Sequence, residues 1–274
     1  MKDIKFWIKT NKLRTIGLII ISILIFIALF DQYLAPYTMN ERDLSFLHPS
    51  WTHLLGTNDI GQDIFSELIY SARTSLAVGF LSAFIAISVG VVVGTVAGYR
   101  RGKTEQVLMA MTDAVIIIPG LPLMILMVAY LQPGIVTTSI AISILGWCGM
   151  ARVLHPKVMN LKEQPFVMSA KALGKSDWYI MLKHILPNTK NIISVKLALA
   201  VGGGMMAEAS LSFMGLGDPM NSSWGAMMND AFTYGAIPYG LWWWYLVPGI
   251  MIMISIISFI LISSNGRSKG SVIE

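Results

Sequence analysis

The stretch TSLAVGFLSAFIAISVGVVVGTVAG, residues 74–98, contains no charged residue. A helix needs about 20 mostly apolar residues to cross the hydrocarbon core of a bilayer. Small residues also recur at every fourth position of the stretch, at Ser82, Ala86, Gly90, Gly94 and Gly98. Positions four apart lie on one face of a helix, where small side chains let another helix backbone approach closely. The stretch therefore predicts a membrane-spanning helix with a close-packed seam.

Five further apolar blocks of similar length predict spans near 16–34, 107–131, 135–153, 192–214 and 241–263. The composition agrees, since 55% of the 274 residues are hydrophobic, only 13% are charged and the mean hydropathy is +0.65. A water-soluble domain of this size needs more polar surface. We therefore predict an all-α membrane protein with about six transmembrane helices and no room for a separate catalytic domain.

The basic residues predict the orientation of the chain. All but two of the 20 Lys and Arg residues lie in the N-terminal segment, the 99–106 turn, the 152–190 segment, position 196 or the tail. Arg42 and Arg73 are the two exceptions. Because positive charge is normally retained in the cytoplasm, we expect cytoplasmic termini and extracytoplasmic segments at 35–73 and 215–240. The basic residues alternate with apolar blocks instead of forming one patch, so nucleic-acid binding is not indicated.

The N-terminal block follows a basic segment, as the apolar part of a signal peptide does. It continues into Asp31 without a small-x-small cleavage pattern, so we interpret it as a retained span. At the other end of the chain, Trp242, Trp243 and Trp244 stand where the sixth span begins. An aromatic belt at the membrane interface is a sufficient explanation for them.

Several residues are candidates for the translocation pathway. Pro119 and Pro122 interrupt the third span, and a broken helix is tolerated only inside protein or beside a wet cavity. A simple structural kink is an equal alternative. Met205 and Glu208 in the fifth span are further candidates for a pathway or gate. Asp113 is a second ionisable residue at the edge of a span, and both acids are also compatible with pairing inside the bundle.

Asp59, Asp63 and Glu67 are spaced four residues apart and predict an amphipathic surface helix capped at Thr57-Asn58. A metal site with His48 and His53 is the alternative, but cation ligands must converge rather than follow a stripe. We predict no metal site and no cofactor in this chain. Cys148 lies in an apolar run and predicts a buried thiol. GYRRGKT at 98–104 lacks the first glycine of a phosphate-binding loop and follows a membrane span, so nucleotide binding is rejected.

The longest inner segment, 154–190, predicts a helix, a turn and a second helix. Val167, Ala170 and Leu173 are spaced as one apolar face, and Gly174 can end the first helix in the left-handed conformation. Ser176-Asp177 can cap the second helix, which we expect to end at Pro187. That helix carries Trp178, Ile180, Met181, Leu182 and Ile185. So many apolar side chains predict either a docking site for a partner protein or an interfacial helix lying on lipid.

The residues from Lys171-Ala172-Leu173-Gly174 to His184-Ile185-Leu186-Pro187 resemble the EAA loop of ABC-importer permeases. GTNDIGQDIFSELIYSARTSL (56–76) and EASLSFMGLGDPMNSSWGAMM (208–228) resemble the C-type subunit of the dipeptide/oligopeptide/nickel permease family. The resemblance covers nearly the whole chain. It implies that residues 162–187 form coupling helices that sit in a groove of an ATPase subunit. The coupling residues it implies are Ala170, Lys171, Gly174, Asp177, His184, Leu186 and Pro187. Met168 and Ser169 depart from the usual acidic residue and first alanine of the motif.

The resemblance further implies a non-catalytic permease subunit for short peptides or a nickel chelate, in the cell membrane of a prokaryote. Its partners would be a sister permease, two ATP-binding cassette subunits that carry ATP and Mg²⁺, and an extracytoplasmic substrate-binding protein. The chain then divides into an N-terminal span with its extracytoplasmic segment, 1–73, and the permease transmembrane domain, 74–274. An ion-coupled secondary transporter using Asp113 and Glu208 is the alternative from a different class. No converging set of residues for an enzyme site is visible in the sequence.

Overall fold

The computed structural model describes residues 11–264, and regular structure within this range is helical apart from one bridge between Thr57 and Asp63. The first helices are α1 (Lys12–Leu29), α2 (Asp31–Leu34), α3 (Ile64–Tyr99), α4 (Lys103–Ile117), α5 (Gly120–Leu131) and α6 (Ile135–Lys162). They are followed by α7 (Pro165–Ala172), α8 (Asp177–Ile180), a π-helical turn (Met181–Ile185), α9 (Leu186–Leu211), a second π-helical turn (Ser212–Leu216), α10 (Trp224–Thr233) and α11 (Trp242–Ser263). The orientation prediction also used basic residues of the two termini that lie outside the described residues: Lys2, Lys5, Lys9, Arg267 and Lys269.

The described helices include five that are long and apolar enough to cross a membrane, or six if the bent pair α4 and α5 counts as one span. The prediction of an all-α membrane protein with about six spans is confirmed. Two helices extend beyond the predicted spans at polar ends, where the hydropathy signal stops before the helix does. The helix α3 begins at Ile64 instead of 74, and α6 continues to Lys162 instead of 153. The fifth span belongs to a continuous helical run over Asp177–Leu216.

The small-residue stripe of α3 forms the predicted seam. A Cβ atom placed on Gly90, Gly94 or Gly98 would lie 2.5, 2.8 or 2.6 Å from the carbonyl oxygen of Trp147, Ala151 or His155. These carbonyls belong to successive turns of α6, and Ala86 continues the contact at Gly146 of the same helix. At the start of the stripe, Ser82 faces Gly204 of α9 instead. The helix α3 is therefore packed between α6 and α9.

The third span is broken where the prolines predict it. The helix α4 ends at Ile117, Ile118 and Pro119 are extended, and α5 starts at Gly120 with an 85° change of direction. Pro122 lies in the first turn of α5, where an amide hydrogen has no partner in the helix. The break itself is confirmed, and its role in a pathway stays a prediction.

The two ends of the bundle differ. We call residues 35–63 and 217–241 together the cap end, because the two segments contact each other. The Phe46 ring stacks on that of Tyr239. Next to them, Trp243 Nε1 donates a hydrogen bond to the carbonyl oxygen of Leu55 (2.8 Å). Trp244 is fully buried in the protein. The aromatic-belt interpretation is therefore wrong for Trp244, whose ring fills the core, and it stays a prediction for Trp242 and Trp243.

The predicted surface helix over Asp59–Glu67 is also wrong. The helix starts only at Ile64, where the Asp63 carboxylate accepts the Ser66 amide hydrogen at 2.8 Å. Asp63 and Glu67 are 5% and 3% exposed. The four-residue spacing matched a solvated face, but partners distant in the sequence hold these carboxylates inside. Within residues 11–264, no group of three or more His, Cys, Asp or Glu residues is arranged to hold a metal ion.

Candidate functional site

The opposite end of the bundle, which we call the loop end, comprises residues 100–102 and 163–185. Its first helix, α7, starts with Pro165 and ends in a left-handed Gly174 with φ of +72°. The Lys175 amide donates to the Ala170 carbonyl (3.2 Å) and the Gly174 amide to the Lys171 carbonyl (3.0 Å). This pair of hydrogen bonds is the Schellman motif. The predicted roles of Gly174 as terminator and of Ser176, which accepts the Tyr179 amide hydrogen, as cap of the second helix are confirmed.

The second helix does not stop at Pro187, contrary to the prediction. The Leu186 amide donates to the carbonyl of Met181, five residues back, and this wider turn carries the helix from α8 into α9. Pro187 lies inside this helical run directly after the wider turn, where it supplies no amide hydrogen to the preceding turn. The second helix of the loop end and the fifth span are consequently parts of one uninterrupted helical run.

Only part of the apolar residues of this segment is exposed. Ile180, Met181 and Ile185 are buried against a cluster that includes Leu154 and Val158 of α6, so their predicted exposure is wrong. Leu173 is 78% exposed, and so does not share the buried face of Val167 and Ala170. The remaining large apolar side chains stay uncovered in this chain. We call these residues the coupling surface: Phe166, Met168, Leu173, Trp178, Tyr179 and Leu182.

The residues that the EAA resemblance selects occupy this region in different ways. Ala170 is buried and its carbonyl closes the Schellman motif, whereas Lys171 and Pro187 are exposed. His184 lies beside the rings of Phe166 and Tyr179, with centroids 6.3 and 5.8 Å away. Leu186 is half-buried. The side chain at position 168, where the family motif is usually acidic, is an exposed methionine.

The loop is joined to the bundle by contacts that the sequence interpretation missed. The Tyr99 hydroxyl donates to Oδ1 of Asp177 (2.9 Å), and Lys162 Nζ donates to the Tyr99 carbonyl (2.6 Å). Arg101 pairs with Glu163 (2.6 Å) and the Arg100 guanidinium lies over the Trp178 ring. Tyr99 directly follows the apolar stretch 74–98, and its hydroxyl at this position could have indicated a hydrogen bond to the loop.

The pathway candidates Met205 and Glu208 lie inside the bundle of this chain. Glu208 is 2% exposed and accepts hydrogen bonds from Ser212 (2.6 Å) and from Ser75 of α3 (3.3 Å). Ser75 in turn accepts the Trp224 amide hydrogen at the start of α10. Met205 is buried against Gly79. This arrangement joins α3, α9 and α10, and a pathway role of these two residues stays a prediction.

The remaining acids are held by local partners. Asp113 forms an ion pair with Arg152, and Glu105 lies 2.9 Å from Nε2 of His155. At the cap end, the Leu44 amide and then His53 lower the pKa of Asp43. Burial raises the pKa of Asp230, and the nearby charge of Asp59 raises it further. Hydrogen bonds and burial thus shift the pKa values of two carboxylates of the cap end in opposite directions.

The fold and this site define a polytopic membrane protein with an uncovered apolar surface at one end. Residues 90–265 match the family model described as binding-protein-dependent transport system inner membrane component, and residues 5–49 match the N-terminal transmembrane domain of oligopeptide transport permease C. The chain belongs to the binding-protein-dependent transport system inner membrane component family, which confirms the resemblance to ABC-importer permeases.

Several similar proteins have names that refer to the transport of peptides. The chain is 35% identical to the dipeptide transport system permease protein DppC of Bacillus subtilis, over 92% of this chain and 79% of the relative. It is 34% identical to the oligopeptide permease protein OppC of the same organism, over 91% and 82%. It is 33% identical to the glutathione transport system permease protein GsiD of Pectobacterium atrosepticum, over 90% and 82%.

A solved structure shares the fold. A chain of the inward-facing MetNI methionine ABC transporter superposes with a TM-score of 0.58 and 18% identity, over 73% of this chain and 94% of that one. The likeness supports the arrangement of the helices alone.

Proposed function

We propose that this chain is the transmembrane subunit of an ATP-driven importer for short peptides, and that with a sister permease it forms the translocation pathway. The observation that carries the proposal is the coupling surface, a group of large apolar side chains on the two short helices that precede the fifth span. Uncovered apolar groups of this kind mark an interface with a partner protein or with the membrane surface. The family of the chain makes an ATPase subunit the partner we propose.

The proposed mechanism uses the continuity of α8 and α9. ATP and Mg²⁺ would bind to two separate ATP-binding cassette subunits, each permease chain receiving one of them on residues 162–187. When the two ATPases approach each other, they move the coupling surface. Because α8 continues into α9, the fifth span moves with it and the bundle alternates between inward-open and outward-open states. No covalent bond of the substrate changes in this cycle.

The charge distribution supports the proposed orientation. Arg100, Arg101, Lys171, Lys175 and Lys183 belong to the loop end or adjoin it, while the cap segment 35–63 holds a single basic residue, Arg42. Positive charge is normally retained on the cytoplasmic side. We therefore place the loop end and both termini in the cytoplasm of a prokaryote, and the cap end where an extracytoplasmic substrate-binding protein would dock.

The names of the relatives favour peptides over a nickel chelate. They are described as dipeptide, oligopeptide and glutathione permeases. The rival ion-coupled mechanism would use Asp113 and Glu208, but Asp113 is paired with Arg152, and Glu208 is held by serine hydroxyls. We propose that the bend at Pro119–Pro122 lines the pathway, and that Met205 and Glu208 support its wall from within the bundle.

The test is co-purification from native membranes, with ATP hydrolysis measured on the purified material. We expect wild type to retain two ATPase subunits and a sister permease, and Leu182→Asp to lose the ATPases. Leu44→Asp is the matched control, since Leu44 is exposed at the opposite end. A wild-type chain that purifies without any ATPase would contradict the proposal and favour the ion-coupled mechanism.

The substrate class needs a separate assay. The complex is reconstituted in vesicles with its binding protein, and uptake of radiolabelled dialanine, trialanine, glutathione and a nickel–histidine chelate is compared. We expect ATP-dependent uptake of at least one peptide. Uptake of the nickel chelate alone would overturn the peptide proposal and leave the importer proposal intact.

A further inference from the structure

Tyr99 lies where three helices of the loop end meet. It is the last residue of α3, it is 3% exposed, and its hydroxyl donates to Asp177, the first residue of α8. Its carbonyl accepts Lys162 Nζ from the last residue of α6, and the same ammonium lies 5.0 Å from the centre of the Tyr99 ring. One buried residue thus contacts the ends of α3, α6 and α8.

The other connections between loop and bundle differ from this one in kind. Ile180, Met181 and Ile185 pack in an apolar cluster against α6, and such packing is not directional. Arg101 and Glu163 form an exposed ion pair, and such pairs contribute little because water screens them. The helix α9 belongs to the same helical run as α8 and therefore follows its motion. The helix α3 has no such covalent connection to α8. A hydrogen bond from a buried hydroxyl to a carboxylate is stronger than one between neutral groups and is directional.

The far end of α3 is hydrogen-bonded to the cap end. The Glu67 carboxylate accepts Asn58 Nδ2 (3.3 Å) and the Ser222 hydroxyl (3.2 Å), and Trp224 Nε1 donates to the carbonyl of Leu68 (3.0 Å). The 36 residues of α3 extend about 54 Å at the usual helical rise. The helix α3 therefore extends from the loop end to the segment that contains Ser222 and Trp224.

We propose that Tyr99 is a positioning residue that couples motion of the coupling surface to the cap end through α3. This proposal rests on the proposed function, because the coupling surface moves only if an ATPase binds it. The Tyr99–Asp177 hydrogen bond makes α3 follow α8, and the contacts of Glu67 and Leu68 carry that motion to the 217–224 segment. Without the hydrogen bond, the ATPases still dock and hydrolyse ATP, but the cap end responds less.

The experiment reports motion at the cap end directly. Met220 is 91% exposed and lies next to the Ser222 segment, so Met220→Cys is labelled with an environment-sensitive maleimide fluorophore in the full reconstituted complex. The native Cys148 is 1% exposed and is shielded from the reagent. The ATP-induced change in fluorescence, ATP hydrolysis and thermal unfolding are measured on the same samples.

Tyr99→Phe removes only the hydroxyl. We expect the ATP-induced fluorescence change to fall at least about threefold while ATP hydrolysis and the unfolding temperature stay near the wild-type values. Asp177 belongs to the segment that receives the ATPase, so its variants are compared by the fluorescence change per ATP hydrolysed. Asp177→Ala should lower this ratio as much as Tyr99→Phe does, the double variant should lower it no further, and Asp177→Asn, which keeps an acceptor oxygen, should lower it less. Tyr33→Phe is the matched control, because Tyr33 is 86% exposed in α2, far from the loop end in the sequence.

Three results would overturn the proposal. An unchanged fluorescence response in Tyr99→Phe means that α3 follows α8 without this hydrogen bond, although the proposed function stands. A parallel loss of ATP hydrolysis, bound ATPase and thermal stability means that Tyr99 has a structural role alone. A wild-type complex without ATPases, or without any ATP-induced change, contradicts the proposed function itself and the coupling role with it.

Discussion

In the seam between α3 and α6, Gly90, Gly94 and Gly98 face the carbonyl oxygens of the neighbouring helix so closely that a Cβ atom has no space. Around Gly174 in the loop end, nothing lies within 4 Å of the Cβ position, and the residue instead has a left-handed φ of +72°. The seam needs glycine for its missing side chain, and the loop needs it for its backbone conformation. The seam glycines are thus packed against another helix of the same chain, whereas no other part of the chain within residues 11–264 packs against Gly174.

The apolar side chains of the two regions show the same difference. Met150, Leu154 and Val158 of α6 are almost completely buried beside the seam. Leu173, Trp178 and Leu182 of the coupling surface are each more than half exposed. The first group is buried within this chain, and we propose that a partner covers the second. Substitutions in the seam should therefore act on folding, and substitutions on the coupling surface should act on assembly.

The largest effect is expected for Gly94→Val in the seam. Its Cβ atom would lie 2.8 Å from the Ala151 carbonyl oxygen, which belongs to a helix backbone and has no room to shift. We expect a destabilisation of about 3 kcal/mol or more and a loss of monodisperse protein in detergent, measured by size-exclusion chromatography and thermal unfolding. A stable, monodisperse variant would show that α3 and α6 are farther apart in the membrane.

The next effect concerns assembly and uses two residues one helical turn apart. Leu182 is 57% exposed, whereas Ile185 is fully buried. Leu182→Asp should leave thermal unfolding of the chain unchanged and weaken its affinity for the ATPase at least about tenfold, as the loss of an interface hot spot does. Ile185→Asp should instead unfold the chain, because it buries an unpaired charge. Equal behaviour of the two variants in a binding and unfolding assay would erase the distinction between the two regions.

The seam and the spans could be predicted because the signals are local in sequence. Hydrophobic length identified the helices, and the four-residue recurrence identified the stripe from Ser82 to Gly98. The cap end could not be predicted in this way. Asp63 and Glu67 have the spacing of a solvated helix face, and only partners distant in the sequence, such as Ser222, show that they are buried. Trp244 likewise stands in a tryptophan run that is typical of the membrane interface, but the structure buries it in the core.

The loop end was predicted in part. The turn at Gly174 and the cap at Ser176 follow from short-range rules for helix ends. Pro187 was misread as a helix end, because a proline in the first turn after a π-helical turn has the same sequence signature as a terminator. The Tyr99–Asp177 hydrogen bond joins residues from two different helices, and no sequence rule pairs them.

A smaller effect is expected for Gly174→Ala, which tests the backbone requirement in the loop. The space around the Cβ position is free, so the only cost is the left-handed conformation, about 1 to 2 kcal/mol. We expect a decrease in ATPase affinity of about three- to tenfold, measured by titration of the purified subunit, with little change in the unfolding temperature. Gly174→Asn should cost less, since asparagine tolerates this conformation. If alanine and asparagine are both neutral, the turn does not need its left-handed residue for docking.

The smallest effect is expected for Gly149→Ala, which separates tight glycines from open ones within a single helix. Gly149 lies in α6 between Trp147 and Ala151, whose carbonyls form the seam, but its own Cβ position faces outward with no atom within 4 Å. Alanine favours a helix over glycine by at most about 1 kcal/mol. The unfolding temperature should therefore stay constant or rise slightly. A variant that keeps this stability but no longer retains the sister permease on size-exclusion chromatography would show that a second chain fills the open face. Gly149 would then be open in this chain alone and close-packed, like the seam glycines, in the complex of the two permeases.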